Sequence, residues 1–320
     1  MQAAKVLVSR LATFVVSLLV ASLAIFWVTN SLPGDVAQVL LGANATEGEA
    51  AALRERLGLD RNWWVRYGEW MSGLVRGDFG ESWINGAPVG PQIADKLAVT
   101  GSLVVGGMLL AILIAVPVGS FAAVRRRHWS GFVASAASQI GLSIPAFWAG
   151  ILLALLFAVR LRWLPAGGYV PFSQSPALWA EHLVLPVVSI GVVQAAVLSR
   201  FVRSSVIEVL EEDYFRTARA VGWTRLAALL RHGVRNAALS VITVLGLQLA
   251  TLLVGAIVIE QVFALNGLGS LLLIAVGQRD LVIVQGIVLV LVFCVLAINF
   301  VVDVSYRLID PRLRNRGADE

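Results

Sequence analysis

Long apolar runs, separated by short polar segments, are the feature that most constrains how this chain can fold. About six runs approach the ~20 residues that an α-helix needs to cross the hydrocarbon core of a bilayer. They are Val8–Thr29, Thr100–Val124, Phe132–Val159, Leu183–Ser199, Leu239–Glu260 and Val282–Val302. Only 14% of the residues are charged, whereas soluble chains carry about 25%. The sequence therefore predicts an all-α membrane protein with about six transmembrane helices.

Basic residues at the ends of these runs predict the orientation of the chain. They precede the first run and follow the second, fourth and sixth. The four clusters are Lys5 with Arg10; Arg125, Arg126, Arg127 and His128; Arg200 with Arg203; and Arg307, Arg312, Arg314 and Arg316. Short loops rich in Lys and Arg stay in the cytoplasm, so alternating spans place all four clusters and both termini inside. The net charge of +5 is then explained by anionic lipid and a cytoplasmic protein partner, and no nucleic acid is expected.

This pattern divides the chain into four parts. A cytoplasmic N-terminus and the first span occupy 1–30, and the apolar stretch of that span is too long for a cleaved signal peptide. An extracytoplasmic loop region follows at 31–97. The membrane core occupies 98–304 and includes a cytoplasmic loop at 208–236, and a cytoplasmic tail occupies 305–320.

The long loop after the first span contains helices of its own. Thr46 and Glu49 form a capping-box pattern for a helix Ala50–Leu57, which Gly58 ends, and Asp60 is the expected cap of a second helix. One stripe of that second helix is Trp63, Tyr67, Trp70 and Leu74. Such a stripe is typical of packing against the rest of the loop or the membrane interface. The alternative is a lid or docking ledge over a pore.

The polar segment 208–236, between the fourth and fifth spans, carries the clearest functional signal. A short helix Tyr214–Val221 is expected after an Asp213 cap, with Gly222 in the left-handed position that ends it. The loop is basic and helix-prone, and a loop of this kind in the cytoplasm can be held by a soluble partner.

Thr224 is the expected cap of a second short helix, Arg225–Asn236, so the segment predicts helix–Gly–helix across the cytoplasmic mouth. Small residues at Thr217–Ala220 permit close backbone approach, which a protein groove requires and lipid does not. The alternative is a polybasic amphipathic linker that lies on lipid.

The chain contains no conventional catalytic or metal motif. Its only lysines, Lys5 and Lys96, follow Ala4 and Asp95, so it has no phosphate-binding G-K-[ST] loop. Its three histidines are scattered, and Cys294 is its single cysteine. We therefore expect no catalytic residue, metal or cofactor, and any ATP hydrolysis would belong to a partner.

The segments Thr217–Gly222 and Leu229–Ala237 resemble the "EAA" coupling loop of binding-protein-dependent ABC importers, and most closely the dipeptide/oligopeptide permease branch. Further landmarks of that branch follow in order along nearly the whole chain. They are Ser31–Asp35, Leu57–Asp60, Gly77–Gly80, Ser82, Pro88–Val89, Ser143–Trp148, Trp163–Gly168, Glu260, Phe263, Gly267–Gly269, Arg279–Asp280, Asn299, Asp303 and Asp310–Arg312. The resemblance implies a type I ABC importer permease fold in the bacterial cytoplasmic (inner) membrane.

The resemblance also implies a function and a set of partners. The chain would be a permease subunit for short peptides, working with a second homologous permease subunit, two ABC ATPase subunits and an extracytoplasmic substrate-binding protein. ATP binding would close the ATPases and move the 208–236 loop, so that the spans rock between inward-open and outward-open states. Nickel, glutathione or haem are alternative cargoes. A passive channel and an assembly subunit are alternatives of a different class.

Three sets of residues are candidates for these roles. The candidates for ATPase coupling are Asp213, Tyr214, Phe215, Thr217, Ala218, Arg219, Ala220, Gly222 and Trp223. The candidates for the pathway are Gln139, Ser143, Gln194, Gln248, Thr251 and Asn299, since polar side chains within spans contact either substrate or a neighbouring helix. The candidates for an outer gate are Glu260, Phe263, Gly267 and Gly269. Gly267-Leu268-Gly269 predicts a tight turn there, and a simple connecting loop is the alternative.

Overall fold

The computed structural model describes residues 2–31, 36–42 and 45–309, and these are mostly helical. In chain order the helices are α1 (Gln2–Asn30), α2 (Val36–Leu41), α3 (Glu47–Arg56), α4 (Trp63–Val75), α5 (Val89–Val124), α6 (Trp129–Leu142), α7 (Ala146–Leu153), α8 (Pro176–Glu211), α9 (Asp213–Ala220), α10 (Arg225–Ala228), α11 (Val234–Val262), α12 (Leu268–Gln278) and α13 (Leu281–Ile309). A π-helical segment, Ala154–Arg160, extends α7, and another, Leu229–Gly233, joins α10 to α11. The family landmarks at Leu32–Asp35 and Asp310–Arg312 lie outside the described residues.

Five helices of the described chain are long and apolar enough to cross a membrane. They are Val8–Asn30 within α1, α5, α8, Asn236–Val262 within α11, and Leu281–Ser305 within α13. The pair α6 and α7, with its π-helical extension, gives a sixth if the pair counts as one span. The prediction of an all-α fold with about six spans is confirmed.

The third predicted span is not a single straight helix. The sequence predicts one continuous run, Phe132–Val159, but α6 ends at Leu142 and the chain bends by 95° before it continues as α7. Pro145 caps α7 in an extended conformation, with ψ of 137°. Proline disfavours helical geometry in the residue before it and cannot donate a main-chain hydrogen bond. Pro145 therefore accounts for the break at this point.

Two other spans extend well beyond their apolar runs. α5 begins at Val89 rather than Thr100, and α8 covers Pro176–Glu211 rather than Leu183–Ser199. The Ser175 hydroxyl caps α8 by accepting a hydrogen bond from the N–H of Leu178. Hydropathy locates the part of a helix that lies in hydrocarbon, and it gives no signal for the polar turns that continue beyond it.

The capping box of α3 is confirmed. The Thr46 hydroxyl accepts from the N–H of Glu49, while the Glu49 carboxylate accepts from the N–H of Thr46 at 2.8 Å. The bond from the N–H of Thr46, followed by a second bond that the Thr46 hydroxyl donates to the same carboxylate at 2.8 Å, holds the pKa of Glu49 below its ordinary value. Gly58, with φ of +66°, follows the helix end as expected. The predicted cap of α4 is wrong, because Asn62 and not Asp60 accepts from the N–H of Trp64, at 2.9 Å.

The aromatic stripe of α4 packs against the first span. The Phe26 ring of α1 lies 5.3 Å from the ring of Trp63, 5.5 Å from that of Tyr67 and 5.6 Å from that of Trp70. The hydroxyls of Ser22 and Tyr67 share a hydrogen bond of 2.9 Å. Packing is therefore the role that the structure gives this stripe, and its partner is α1.

The chain forms two compact units. Unit 1 consists of Met1–Leu11, Thr100–Leu265 and Ala297–Glu320, and unit 2 consists of Ala12–Val99 and Asn266–Leu296. In unit 1, α8 packs against α6, α7 and α11. Gly119 allows close approach to α8, because a β-carbon there would lie 2.7 Å from the carbonyl oxygen of Ser199. In unit 2, the core joins Val89 and Ile93 to residues of α12 and α13.

Candidate functional site

A single large side chain anchors the short helix α9 to unit 1. Phe215 is only 4% exposed and belongs to a buried cluster with residues of α5 and α8 and with Leu229. The chain leaves the helix through Gly222, whose φ is +102°. A β-carbon at Gly222 would meet nothing within 4 Å. The left-handed conformation, rather than crowding, therefore favours glycine here, and the predicted conformation of Gly222 is confirmed.

The ends of the two predicted cytoplasmic helices need correction. α9 begins at Asp213 itself, and its cap is Glu212, whose side chain makes no capping hydrogen bond. Thr224 does cap the next helix, because its hydroxyl accepts from the N–H of Ala227 at 3.2 Å. That helix does not end at Asn236, since α10 continues through the π-helical segment into α11. The predicted helix–Gly–helix is thus one short helix followed by the extended end of a span.

The candidate coupling residues divide into an inner and an outer group. Phe215 and half-buried Ala218 pack on the chain's own core. The exposed members are Asp213, Tyr214, Thr217, Arg219, Ala220, Gly222 and Trp223. We call Tyr214, Thr217, Arg219, Ala220 and Trp223 the α9 outer face. Three side-chain hydrogen bonds involve this face: Arg219 donates to the carbonyl oxygen of Trp223 at 2.6 Å, the Thr217 hydroxyl donates to that of Asp213 at 3.0 Å, and Asn236 donates to the Tyr214 hydroxyl at 2.9 Å. Phe215, in contrast, is buried and out of reach of a partner.

Three of the six pathway candidates lie together. Gln194 of α8 donates from Nε2 to Oε1 of Gln248 of α11 at 3.1 Å and to its carbonyl oxygen at 3.3 Å. The Thr251 hydroxyl donates to the same carbonyl oxygen at 2.9 Å. We call Gln194, Gln248 and Thr251 the amide cluster. It presents neutral donors and acceptors between two spans, and its central contact joins two helices.

The other three pathway candidates form no hydrogen bond with the amide cluster among the described residues. Gln139, Ser143 and Asn299 are all exposed in the single chain. The Ser143 hydroxyl donates to the carbonyl oxygen of Gln139, one turn earlier, at 3.5 Å. Sequence reasoning missed another polar pair in the spans, in which Gln285 donates to the Thr29 hydroxyl at 2.7 Å within unit 2.

Glu260 is a buried carboxylate in unit 1. Its side chain is fully buried, and the Thr100 hydroxyl, which is also buried, donates to Oε1 at 2.5 Å. Carboxylates are seldom buried without a partner, because desolvation of the charge is costly. The sequence identified Glu260 as a lone carboxylate at the end of a span. It did not predict the contact with Thr100, because the two residues are 160 positions apart.

Phe263 is held by the turn that follows the broken span. It is fully buried, and its carbonyl oxygen accepts from the N–H of Gly168 at 2.9 Å. Its ring lies close to Gly150 of α7, where a β-carbon would be 3.0 Å away. Two landmarks that are distant in sequence, Phe263 and the Trp163–Gly168 turn, therefore meet in space.

The segment after Phe263 differs from the tight turn that its glycines predict. Gly267 has an ordinary φ of −91° and caps α12, and the positive φ, of +48°, is at Ala264 instead. Gly269 is buried within α12 in unit 2. The alternative prediction of a simple connecting loop is also wrong, since Leu268–Gln278 is an apolar helix. Its 11 residues fall well short of the ~20 that a membrane span needs, so a search for span-length apolar runs does not find it.

Two further landmarks meet within unit 2. The Ser82 hydroxyl donates to Oδ2 of buried Asp280 at 2.5 Å, and the N–H of Trp83 approaches its Oδ1 at 3.4 Å. The same hydroxyl accepts from the N–H groups of Ile84 and Asn85. Asp280 therefore anchors the turn 82–85 through Ser82.

The helical spans and the broken third span define a multi-span membrane protein, and α9 lies exposed in one of its units. Comparison with protein families identifies the class. Residues 115–315 match the "Binding-protein-dependent transport system inner membrane component" family, and residues 3–104 match the N-terminal region of such membrane components. The chain belongs to this family of inner membrane components of binding-protein-dependent transport systems.

Individual relatives are similar over nearly their whole length. A putative peptide transport system permease protein of Brucella abortus is 39% identical over 308 residues, covering 96% of this chain and 98% of the relative. A probable peptide ABC transporter permease protein of Sinorhizobium fredii is 37% identical over 305 residues, covering 95% and 97%. A glutathione transport system permease protein of Salmonella choleraesuis is 39% identical over 305 residues, also covering 95% and 97%.

The fold also resembles a solved transporter. An inward-facing structure of the MetNI methionine ABC transporter aligns with a TM-score of 0.53 at 18% identity. The alignment covers 68% of this chain and 96% of that one. At this identity the likeness concerns the fold, and it agrees with the type I ABC importer permease fold.

Proposed function

We propose that this chain is the permease subunit of an ATP-driven importer that moves short peptides across the bacterial cytoplasmic membrane. Full-length similarity to relatives named as peptide transport permeases is the observation that carries the proposal. The proposed partners are a second homologous permease subunit, two ABC ATPase subunits and an extracytoplasmic substrate-binding protein. ATP hydrolysis belongs to the ATPase subunits.

The α9 outer face is the proposed contact with an ATPase subunit. Its small and polar residues, Thr217 and Ala220 among them, allow a groove to approach the helix backbone closely. Phe215 transmits a displacement of α9 to the unit 1 core, because its ring is buried there. Packed cores switch between discrete arrangements rather than deforming continuously, so this anchor would turn ATPase closure into movement of the spans.

The amide cluster is the proposed pathway element for a peptide. Side-chain amides and a hydroxyl match the donors and acceptors of a peptide backbone, whatever its side chains. Neutral groups also avoid trapping a charged cargo, and fine selectivity would then belong to the binding protein. Glu260 and Phe263 in unit 1, and Gly267 and Gly269 in unit 2, are proposed to serve an outer gate.

Glutathione is a second candidate cargo, because a glutathione permease is as similar to this chain as the peptide permeases are. Both cargoes can be tested in one experiment. The complete complex, with the subunits that co-purify with it, is placed in proteoliposomes and supplied with ATP and labelled dipeptide, tripeptide or glutathione. We expect ATP-dependent uptake of di- or tripeptide. Uptake of glutathione alone would replace peptide as the cargo, and equal uptake without ATP would indicate a passive channel.

The coupling role is tested with a pair of tryptophan substitutions. Ala220→Trp enlarges the α9 outer face without entering the core, because Ala220 is exposed. We expect normal membrane abundance with at least tenfold lower uptake and reduced ATPase co-purification. The matched control is Ala51→Trp on the exposed side of α3, which should transport normally. Wild-type uptake and co-purification in Ala220→Trp would show that α9 is not the coupling contact.

A further inference from the structure

A cavity beside α9 is lined by five arginine side chains. It has a volume of about 480 Å³ and lies within unit 1, at the ends of α5 and α8. The residues with basic side chains that line it are Arg126, Arg127 and His128 of the α5–α6 loop, Arg216 and Arg219 of α9, and Arg225 next to Thr224. No carboxylate is among the described residues that line it. We call it the arginine cavity.

Nearby carboxylates neutralise only part of this charge. Arg126 pairs with Glu211 at 2.7 Å and Arg216 with Asp213 at 3.2 Å, both in exposed positions where ion pairs are weak. Arg219 donates to a neutral carbonyl oxygen. Within the described part of the chain, Arg127 and Arg225 make no hydrogen bond or ion pair. Five guanidinium groups against two carboxylates leave three uncompensated positive charges around one cavity.

Exposed aromatic rings mark the level of the cavity relative to the bilayer. Trp129 and Phe132 follow His128 directly, stack with ring centroids 5.4 Å apart, and are 77% and 60% exposed. Outward-facing tryptophan is typical of the membrane–water interface. A basic cluster at that depth lies among lipid headgroups, where anionic lipids attract arginine.

We propose that the arginine cavity binds the phosphate of an anionic phospholipid headgroup. Guanidinium groups bind phosphate oxygens through paired, charge-assisted hydrogen bonds. The bound phosphate bridges three elements that neither of these ion pairs joins to one another: the α5–α6 loop, α9 and α10. Anionic lipid thereby fixes the position of α9 within unit 1, and this inference rests on the coupling contact proposed above, with which the site shares Arg219.

The test measures lipid binding and coupling in the same complex. The intact complex is purified in detergent, and native mass spectrometry follows titration with phosphatidylglycerol or phosphatidylcholine. The variant Arg127→Gln/Arg225→Gln removes two cations outside the α9 outer face. The control Arg56→Gln/Arg76→Gln removes the same charge from α3 and the end of α4. About 1 kcal/mol for each basic residue near an anionic surface corresponds to roughly 30-fold weaker phosphatidylglycerol binding in the first variant, and we expect wild-type binding in the control.

Transport assays in nanodiscs and proteoliposomes complete the test. We expect phosphatidylglycerol to raise substrate-stimulated ATPase activity over that in pure phosphatidylcholine for the wild type and the control, but not for Arg127→Gln/Arg225→Gln. Unchanged phosphatidylglycerol binding in that variant would overturn the proposal. Equal displacement of the lipid by millimolar inorganic phosphate would identify a free-phosphate site instead. Loss of ATPase co-purification in Arg127→Gln/Arg225→Gln, with the wild type retaining the ATPase in pure phosphatidylcholine, would overturn the lipid and identify an acidic protein partner as the occupant.

Discussion

Gly167 lies against the main chain of Phe263 so closely that a β-carbon on Gly167 would be 2.3 Å from the carbonyl oxygen of Phe263. The next residue, Gly168, donates its N–H to that same oxygen at 2.9 Å. Phe263 follows α11, and the glycines belong to the turn between α7 and α8. The end of one span is thus fixed by main-chain contact with a distant turn.

Gly167→Ala should disrupt this contact, because the turn must move away from Phe263 and loses the hydrogen bond from Gly168. Overpacking of this kind costs about 1–3 kcal/mol, so we expect a clearly lower thermal midpoint for the purified protein. The control is Gly101→Ala, at a helical glycine in α5 whose β-carbon would meet nothing within 4 Å. Equal midpoints for the two variants would contradict the contact.

Gly222→Val should uncouple transport without preventing membrane insertion. A β-branched residue at φ of +102° is strained, and left-handed backbone costs an ordinary residue about 1–2 kcal/mol. The chain would relieve this strain by changing the exit from α9. We expect normal abundance, with uptake and substrate-stimulated ATPase activity reduced at least tenfold. Gly48→Val in α3, where φ is not positive and nothing lies within 4 Å, is the control that should retain both activities.

Ser82→Ala should loosen the turn that Asp280 anchors. The variant removes the donor to the Asp280 carboxylate and the acceptor for two main-chain N–H groups. Hydrogen bonds to charged groups contribute about 1.5–3 kcal/mol, which predicts roughly 10- to 100-fold faster chymotryptic cleavage after Trp83. The control is Ser72→Ala, which removes only a hydrogen bond within its own helix, from the Ser72 hydroxyl to the carbonyl oxygen of Glu69. An unchanged cleavage rate in Ser82→Ala would show that the anchor is unimportant.

Both termini should be cytoplasmic. We expect cysteines introduced by Ala4→Cys and Ala318→Cys to react with an impermeant maleimide only after the cells are opened. Ala52→Cys, on the exposed side of α3, should react in intact cells and serves as the outer reference. Efficient labelling at either terminus in intact cells would reverse or break the predicted orientation.

Local chemistry allowed the sequence to predict much of this fold. Apolar runs located the spans, and short-range patterns located the Thr46 cap, the Thr224 cap and the positive φ of Gly222. Prolines show the limit of local patterns. Pro117 and Pro186 lie inside continuous helices, whereas Pro145 stands at a break. The surroundings of each proline decide between these outcomes.

The candidate site was harder to predict because its important contacts are not local. Thr100 and Glu260 are 160 residues apart, and Ser82 and Asp280 are 198 apart. The sequence analysis named Glu260 of the first pair and both residues of the second, but it did not predict that the members of either pair are in contact. Ala218 packs on the core while Ala220 is exposed, as expected of residues two apart on a helix, which do not share a face. Their shared small side chain had placed both among the coupling candidates.

The π-helical segment Leu229–Gly233 has a consequence for rotation about the helix axis. The N–H of Val234 bonds to the carbonyl oxygen of Leu229, five residues earlier, so the segment holds one residue more than an α-helical turn. The wide turn accommodates that extra residue, so α10 and α11 keep nearly the phase that a regular helix one residue shorter would give them. Deleting a single residue there would therefore restore a regular helix and leave Arg225 and the Thr224 cap facing nearly the same way. Deleting a residue from the α-helical part of α11 would instead rotate α10 by about 100° relative to the rest of that span, since each residue of an α-helix turns the chain by that angle.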